Sequence, residues 1–135
     1  MSSLTTDLGE ALNLTSATLQ NGVYTYGGTK NGSSETVALK GLVTFAGGGS
    51  PSITVTIESD VDAGYGFSAI TSRREDNVAP GGAVEHVFAQ ADGNSQPFWL
   101  HVTGLLHAKR WRVGAKSAGA PVAGDAVKLT GLGSV

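Results

Sequence analysis

Short runs of alternating apolar and polar residues, separated by turn-forming residues, limit what this chain can fold into. The clearest run covers residues 52–60, SITVTIESD, in which Ile53, Val55 and Ile57 alternate with polar residues. A period of two places successive side chains on opposite faces of a strand. Turn signals recur about every eight to twelve residues, and no stretch has the apolar spacing of a helix. The pattern therefore predicts an all-β protein.

The number and spacing of the runs indicate a single antiparallel β-sandwich of jelly-roll or Greek-key type. The chain has 135 residues, which suits one domain. We predict an N-terminal arm at residues 1–10 and a sandwich domain at residues 11–116. Residues 117–135 are predicted to form a small-residue linker, a last short strand and a tail. Gly41 is predicted to kink the long strand that contains it.

Residues 97–116 hold both tryptophans of the chain. Leu100 and Val102 alternate with polar residues in the first half, and Trp111 and Val113 alternate with arginines in the second half. This pattern predicts two half-buried strands joined as a hairpin, with the apolar side chains on one face.

Residues 82–91 are also predicted to form a strand, but the alternation leaves its buried face open. The core could take either Val84, His86 and Phe88 or Val87 and Ala89, since both sets fit a period of two.

The composition argues against several functional classes. There is no cysteine, which excludes disulfides, thiolate metal sites and cysteine nucleophiles. His86, His101 and His107 match no recurrent metal-ligand spacing. The chain has neither a GxSxG nucleophile motif nor a phosphate-binding loop. We therefore predict no enzymatic activity, no cofactor and no metal.

Charge and hydropathy also limit the partners. The net charge is −2 and 15% of the residues are charged, which argues against nucleic-acid binding. The N-terminus lacks a basic start followed by an apolar run, and no later run approaches the roughly twenty apolar residues of a membrane span. A soluble protein without membrane contact is expected.

The low charge and the 20 glycines suit a surface that contacts neighbours in an assembly. Arg73 and Arg74 lie in a mixed-sign cluster, RRED, which predicts a solvated or subunit-facing loop. Arg110 and Arg112 flank a tryptophan, and a planar guanidinium suits bidentate pairing or aromatic stacking. With Trp99, these four arginines are the candidate interface residues. The simpler alternative is that Arg110 and Arg112 only form the outer face of their strand.

Four stretches follow one another along the middle of the chain: Thr54–Ser59 with Asp60, then Phe67, residues 100–103 and residues 112–114. This succession resembles small accessory proteins of tailed-bacteriophage capsids, known as decoration or cement proteins. The resemblance extends from residue 36 to residue 116. The chain departs from the family pattern because it lacks a clear Asp-Gly turn after Asp60.

The resemblance implies a β-sandwich virion protein that binds the outside of an assembled phage head and clamps adjacent subunits of the major capsid protein. It also implies a homo-oligomer without catalytic activity, made in the host bacterial cytoplasm and located on the capsid surface. A neck or tail protein would give the same pattern. The alternative class is a carbohydrate-binding module that uses Tyr24, Tyr26, Tyr65 or Trp99.

Overall fold

The computed structural model describes residues 4–32, 36–48, 52–61, 66–75, 82–103 and 108–134. These residues form eleven strands and one 3-10 turn at Gln90–Asp92, and they contain no α-helix. The strands are β1 Leu4–Thr15, β2 Thr25–Tyr26, β3 Lys30–Asn31, β4 Thr36–Thr44, β5 Ser52–Asp60, β6 Ser68–Ile70, β7 Arg73–Arg74, β8 Glu85–Ala89, β9 Ser95–Thr103, β10 Arg110–Ala118 and β11 Ala126–Ser134.

The strands form two antiparallel sheets that pack as a sandwich. Sheet 1 has the order β1-β11-β4-β9-β7. Sheet 2 has the order β2-β10-β5-β6, with β3 also pairing β10 and β8 also pairing β5. The predicted all-β sandwich is confirmed. Strands that neighbour each other in a sheet are mostly distant in sequence, as in Greek-key and jelly-roll proteins.

The core lies between the sheets and is built by the alternating side chains of the long strands. Leu39 and Leu100 of sheet 1 and Val55 and Val113 of sheet 2 are fully buried. Trp111 is the largest fully buried side chain, and its indole N–H donates to the Asn31 carbonyl over 3.2 Å. Each buried apolar side chain of this size stabilises the fold by about 1.5–3 kcal/mol.

The predicted hairpin over residues 97–116 is wrong. β9 pairs with β4 in sheet 1, whereas β10 pairs with β5 in sheet 2. Phe98 and Trp111 both point into the same core, from opposite sides of it. Alternation cannot distinguish these arrangements, because the apolar face of each strand is the same in a hairpin and in a connection that crosses between the sheets.

Where the sequence predicted an N-terminal arm and a C-terminal tail, the described residues lie in strands of sheet 1. Residues 4–10 belong to β1, which pairs along β11 from Leu4↔Ser134 to Thr15↔Ala126. β11 extends to Ser134 and lies between β1 and β4, inside sheet 1. The predicted last short strand is present but longer than predicted, because Gly131 and Gly133 weaken the apolar signal in a strand that still pairs on both sides.

The structure also decides the buried face of β8. His86 and Phe88 point into the core and Val87 is exposed. The His86 Nε2 and the Ser72 Oγ lie 2.8 Å apart in a buried hydrogen bond. A histidine is tolerated at this buried position because the Ser72 hydroxyl forms a hydrogen bond with its ring nitrogen.

Candidate docking surface

The outer face of sheet 1 combines an aromatic side chain with several cations. Alternation in β4 turns Lys40 and Leu42 away from the core, and the same alternation in β9 turns Pro97 and Trp99 outward. The register places Lys40 opposite Trp99 and Leu42 opposite Pro97. We call this surface the Trp99 face; its residues are Lys40, Leu42, Arg73, Glu75, Pro97, Trp99, His101, Lys128 and Thr130.

Three open depressions adjoin one another on the Trp99 face. The first, of about 410 Å³, lies beside Pro97 and Trp99 and is bounded by Lys40 and Glu75. A second, of about 660 Å³, shares Glu75 and extends past His101. The third, of about 300 Å³, shares Lys40 and crosses β4 toward β11. Together they form a shallow groove that extends across sheet 1.

The Trp99 face carries most of the unpartnered cationic side chains. Lys40, Lys128 and Arg73 are exposed, and none forms an ion pair or a side-chain hydrogen bond in the described part of the chain. Lys109 is the other described cation without an ion pair or a side-chain hydrogen bond, and it lies outside the Trp99 face. Glu75 is an acid within the groove. The Trp99 face therefore carries more positive than negative charge, although the whole chain has a net charge of −2.

The acids of β1 occupy the far edge of the same sheet. The Asp7 carboxylate accepts the Gly9 backbone N–H over 2.8 Å, and the Glu10 carboxylate accepts the Asn13 side-chain N–H over 3.4 Å. These carboxylates are engaged within their own strand.

Arg73 and Arg74 follow each other in β7 and serve different purposes. Arg73 is exposed and pairs in register with His101, whose ring is stacked on Trp99 with the centroids 6.4 Å apart. Arg74 points toward the other sheet. Its guanidinium carbon lies 4.0 Å from the centroid of the Phe88 ring, and its Nη1 donates to the Val87 carbonyl over 3.1 Å.

The outer face of sheet 2 is closed by its own ion pairs. The Arg110 Nε lies 3.0 Å from the Asp60 Oδ2, and the Arg112 Nη2 lies 2.8 Å from the Glu58 Oε1. The Asp60 side chain is only 1% exposed, so its charge requires this partner. We call this surface the ion-pair layer; its residues are Tyr24, Tyr26, Glu58, Asp60, Phe67, Glu85, Arg110, Arg112 and Lys116.

Aromatic rings complete the ion-pair layer. The Arg112 guanidinium lies between the rings of Tyr26 and Phe67, at 3.6 Å and 4.1 Å from their centroids. The Tyr26 hydroxyl donates to Glu58 over 2.9 Å. Tyr26 can lie flat here because Gly114 is directly beneath it: a Cβ at that position would be 2.6 Å from the Tyr26 ring. Each cation–π contact contributes about 0.5–2 kcal/mol.

A second group in the layer joins Tyr24, which precedes β2, to β8 and β10. The Tyr24 hydroxyl donates to the Glu85 Oε2 over 2.5 Å, and the Lys116 Nζ lies 3.6 Å from the same oxygen. Burial raises the pKa of Tyr24 above its ordinary value, and the hydrogen bond to Glu85 raises it further. The same hydrogen bond lowers the pKa of Glu85, and the charge of Lys116 lowers it as well.

The five candidate interface residues therefore divide between two surfaces. Arg73 and Trp99 lie together on the Trp99 face, whereas Arg110 and Arg112 lie in the ion-pair layer of the opposite sheet. Arg74 supports the core instead of facing outward. Tyr65, named in the glycan alternative, lies outside the described residues.

Lys40 and Lys128 were not among the predicted interface residues. Their outward positions follow from the alternation of β4 and β11. Their place beside Trp99 depends on which strands pair, and that order cannot be read from one sequence.

The described residues contain no group of three or more histidines, aspartates or glutamates that could hold a metal ion. No helix among them is long and apolar enough to span a bilayer. His107 lies outside the described residues, and His86 and His101 occupy different environments, the core and the Trp99 face.

Comparisons with protein-family models, with curated proteins and with solved structures find no match to this chain.

Proposed function

We propose that this chain is a virion structural protein that binds the outer surface of a tailed-phage head through the Trp99 face. The observation that carries the proposal is the contrast between the two outer faces. Sheet 2 satisfies its charged residues internally, whereas sheet 1 presents Trp99, Pro97 and Leu42 beside unpartnered cations. Protein interfaces usually have apolar and aromatic residues at the centre and polar residues around them, and the Trp99 face has this arrangement.

The sandwich suits a docking role because it holds this surface on paired strands. β4 pairs with a neighbour on both sides over its length, with β11 and with β9, so the Trp99 face changes little between free and bound states. A head repeats the same surface by symmetry. Many modest contacts on such a lattice give avidity without one strong site.

The test uses assembled tailed-phage heads. Purified protein is expected to bind them saturably, at a stoichiometry set by the lattice, and to raise their disruption temperature. Trp99→Ala is expected to weaken binding by about thirtyfold, the effect of losing ~2 kcal/mol at the centre of an interface. Heads whose disruption temperature does not change on addition of the protein would contradict the proposal.

The matched control is Val87→Ala, which trims an exposed apolar side chain from the outer face of the opposite sheet. Val87 is 54% exposed and neither variant opens a cavity in the core, so both are expected to fold. Equal binding by the two variants would place the docking surface elsewhere.

The carbohydrate-binding alternative rests on the depression beside Trp99, since a half-buried ring with nearby polar groups also suits a sugar. Tyr24 and Tyr26 suit it less well, because their hydroxyls already bond to Glu85 and Glu58. Affinity electrophoresis in polysaccharide gels distinguishes the two. Retardation that Trp99→Ala abolishes, in a protein that leaves heads unbound, would favour the glycan module. Binding to isolated tails but not heads would favour the neck or tail location.

A further inference from the structure

The second depression of the Trp99 face has the shape and chemistry of an anion-binding cleft. It has a volume of about 660 Å³ and lies between residues 71–75 and the end of β9, where His101 and Thr103 bound it. Thr71, Thr103 and Arg73 are exposed, which leaves two hydroxyls and a guanidinium accessible from solvent.

Arg73 is the strongest donor in the cleft. A guanidinium presents five N–H donors in a planar fork that matches a carboxylate in two parallel hydrogen bonds. Arg73 forms no ion pair or side-chain hydrogen bond within the described residues. The neighbouring Arg74 is directed to Phe88 and to the Val87 carbonyl. Both arginines line the cleft, but the guanidinium of Arg74 is held by these contacts within the fold.

A second cation lies farther along the same groove. Arg73 is in register with His101, and Lys40 is in register with Trp99, two residues earlier in β9. Arg73 and Lys40 lie on opposite sides of β9, so two strand spacings of about 4.8 Å and an offset of two residues, about 7 Å, put their backbones roughly 12 Å apart. Side chains four residues apart in an extended segment are separated by about 13 Å, so acids with that spacing could reach both cations. The carboxylate of Glu75, which lines both depressions, repels an acid placed between the two cations.

We infer that the cleft beside Arg73 binds a carboxylate of an acidic, extended segment of the partner protein, with Lys40 taking a second carboxylate across Trp99. This inference rests on the proposed docking function and deepens it by naming the chemistry of the partner. Charge complementarity favours a protein segment over a free anion, because the two cations are spread along an open groove and a small anion would contact only one of them.

The test is a titration of the ¹⁵N-labelled protein with a capped octaglutamate peptide at about 0.15 M salt, where surface charges farther apart than ~8 Å are largely screened. Saturable shifts are expected for the His101 amide and the Trp99 indole N–H. The Trp111 indole is an internal reference, because it is buried and bonded to Asn31. A capped octaglutamine peptide, equal in length but uncharged, is expected to cause no shift.

Three variants make the test specific. Arg73→Gln is expected to weaken octaglutamate binding about tenfold, the loss of one charge-assisted pair. Arg73→Lys keeps the charge without the fork and is expected to give an intermediate affinity. Lys109→Gln removes an equal charge outside the Trp99 face and is expected to stay within about twofold of the unmodified protein. Unchanged amide-shift dispersion establishes that each variant is folded.

The inference is overturned if Arg73→Gln and Lys109→Gln bind the peptide equally, or if inorganic phosphate reproduces the same shifts at the same concentration. Shifts that grow with protein concentration alone would assign the cleft to a second copy and also overturn it. Head binding separates this inference from the proposed function. If the protein binds heads and Arg73→Gln binds them equally well, the cleft is wrong and the docking function stands. If no form binds heads but the peptide titrates as expected, the cleft stands and the docking function is wrong.

Discussion

The guanidinium of Arg74 lies over the ring of Phe88, 4.0 Å from its centroid. Arg74 belongs to β7 of sheet 1 and Phe88 to β8 of sheet 2, so this contact joins the two sheets at one edge of the sandwich. At the other edge, the Lys30 Nζ of β3 donates to the Leu8 carbonyl of β1 over 2.9 Å. A basic side chain therefore connects the sheets at each edge.

Replacing Arg74 is expected to destabilise the fold. Arg74→Ala removes the cation–π contact and leaves the Val87 carbonyl without this donor, a combined loss of about 1–3 kcal/mol. Arg73→Ala is the control, because the neighbouring exposed arginine should change the free energy of unfolding by less than about 0.5 kcal/mol. Urea denaturation followed by circular dichroism measures both. Equal midpoints for the two variants would show that the edge contact is not stabilising.

The C-terminal strand is expected to be essential for folding. Leu129 is fully buried in the middle of β11, so Leu129→Ala should cost about 2–5 kcal/mol. Thr130→Ala, at the next and exposed position, should be close to neutral. Deletion of residues 126–135 should abolish the β spectrum, because β1 and β4 both pair with this strand. A truncated protein that keeps its spectrum and its thermal midpoint would contradict this topology.

β5 and β11 show what the alternation of apolar and polar residues could and could not predict. The strong pattern of Ile53, Val55 and Ile57 predicted β5 correctly. The predicted last strand was shorter than β11, because glycines interrupt the apolar pattern of β11. The pattern also could not indicate that Thr54 and Thr56 are buried on the other face of β5, where the Thr56 hydroxyl donates to the carbonyl of the distant Val84.

Sequence reasoning identified part of the Trp99 face. It selected Arg73 and Trp99 for their chemistry, and they prove to lie on one surface. It also selected Arg110 and Arg112, whose partners Asp60 and Glu58 are fixed by the register of β5 with β10. Strand register between segments about fifty residues apart depends on the whole core and not on local composition.

Gly41 was expected to kink its strand, and the structure gives it a different purpose. A Cβ at this position would lie 2.2 Å from the Phe98 ring, which fills the space. Gly41→Ala is therefore expected to displace this ring and to cost about 1–3 kcal/mol through overpacking. Gly28→Ala is the control, since a Cβ there meets nothing within 4 Å. Thermal midpoints that move equally for both variants would contradict the packing argument.

The stability of the protein is expected to fall at alkaline pH through Tyr24. Its folded-state pKa is raised by burial and by the hydrogen bond to Glu85, above the ordinary value of about 10. The stability that protonated Tyr24 contributes to the folded state is complete below pH 10. It is lost progressively as the pH rises above 10, because the tyrosine of the unfolded chain ionises first. Tyr24→Phe should reduce the slope of unfolding free energy against pH in this range. An unchanged slope would exclude Tyr24 as the source.

Glu85 should act in the opposite direction at acid pH. Its folded-state pKa is lowered, first by the hydrogen bond from Tyr24. The stability that Glu85 contributes is therefore present at pH values above its ordinary pKa, and it is lost as the pH falls through the folded-state pKa. Glu85→Gln should flatten the acid side of the stability profile, and the effect should be small because this side chain is 52% exposed. Urea midpoints between about pH 3 and pH 6 measure it. An acid slope as steep in the variant as in the unmodified protein would contradict it.

Hydroxyl-radical footprinting of the protein on assembled phage heads tests the docking surface most directly. Oxidation of Trp99 and Leu42 is compared between free and head-bound protein, with the exposed Val87 of the opposite sheet as the reference. The docking account predicts strong protection of Trp99 and Leu42 on heads and unchanged oxidation of Val87. Protection of Val87 with Trp99 still reactive would contradict it.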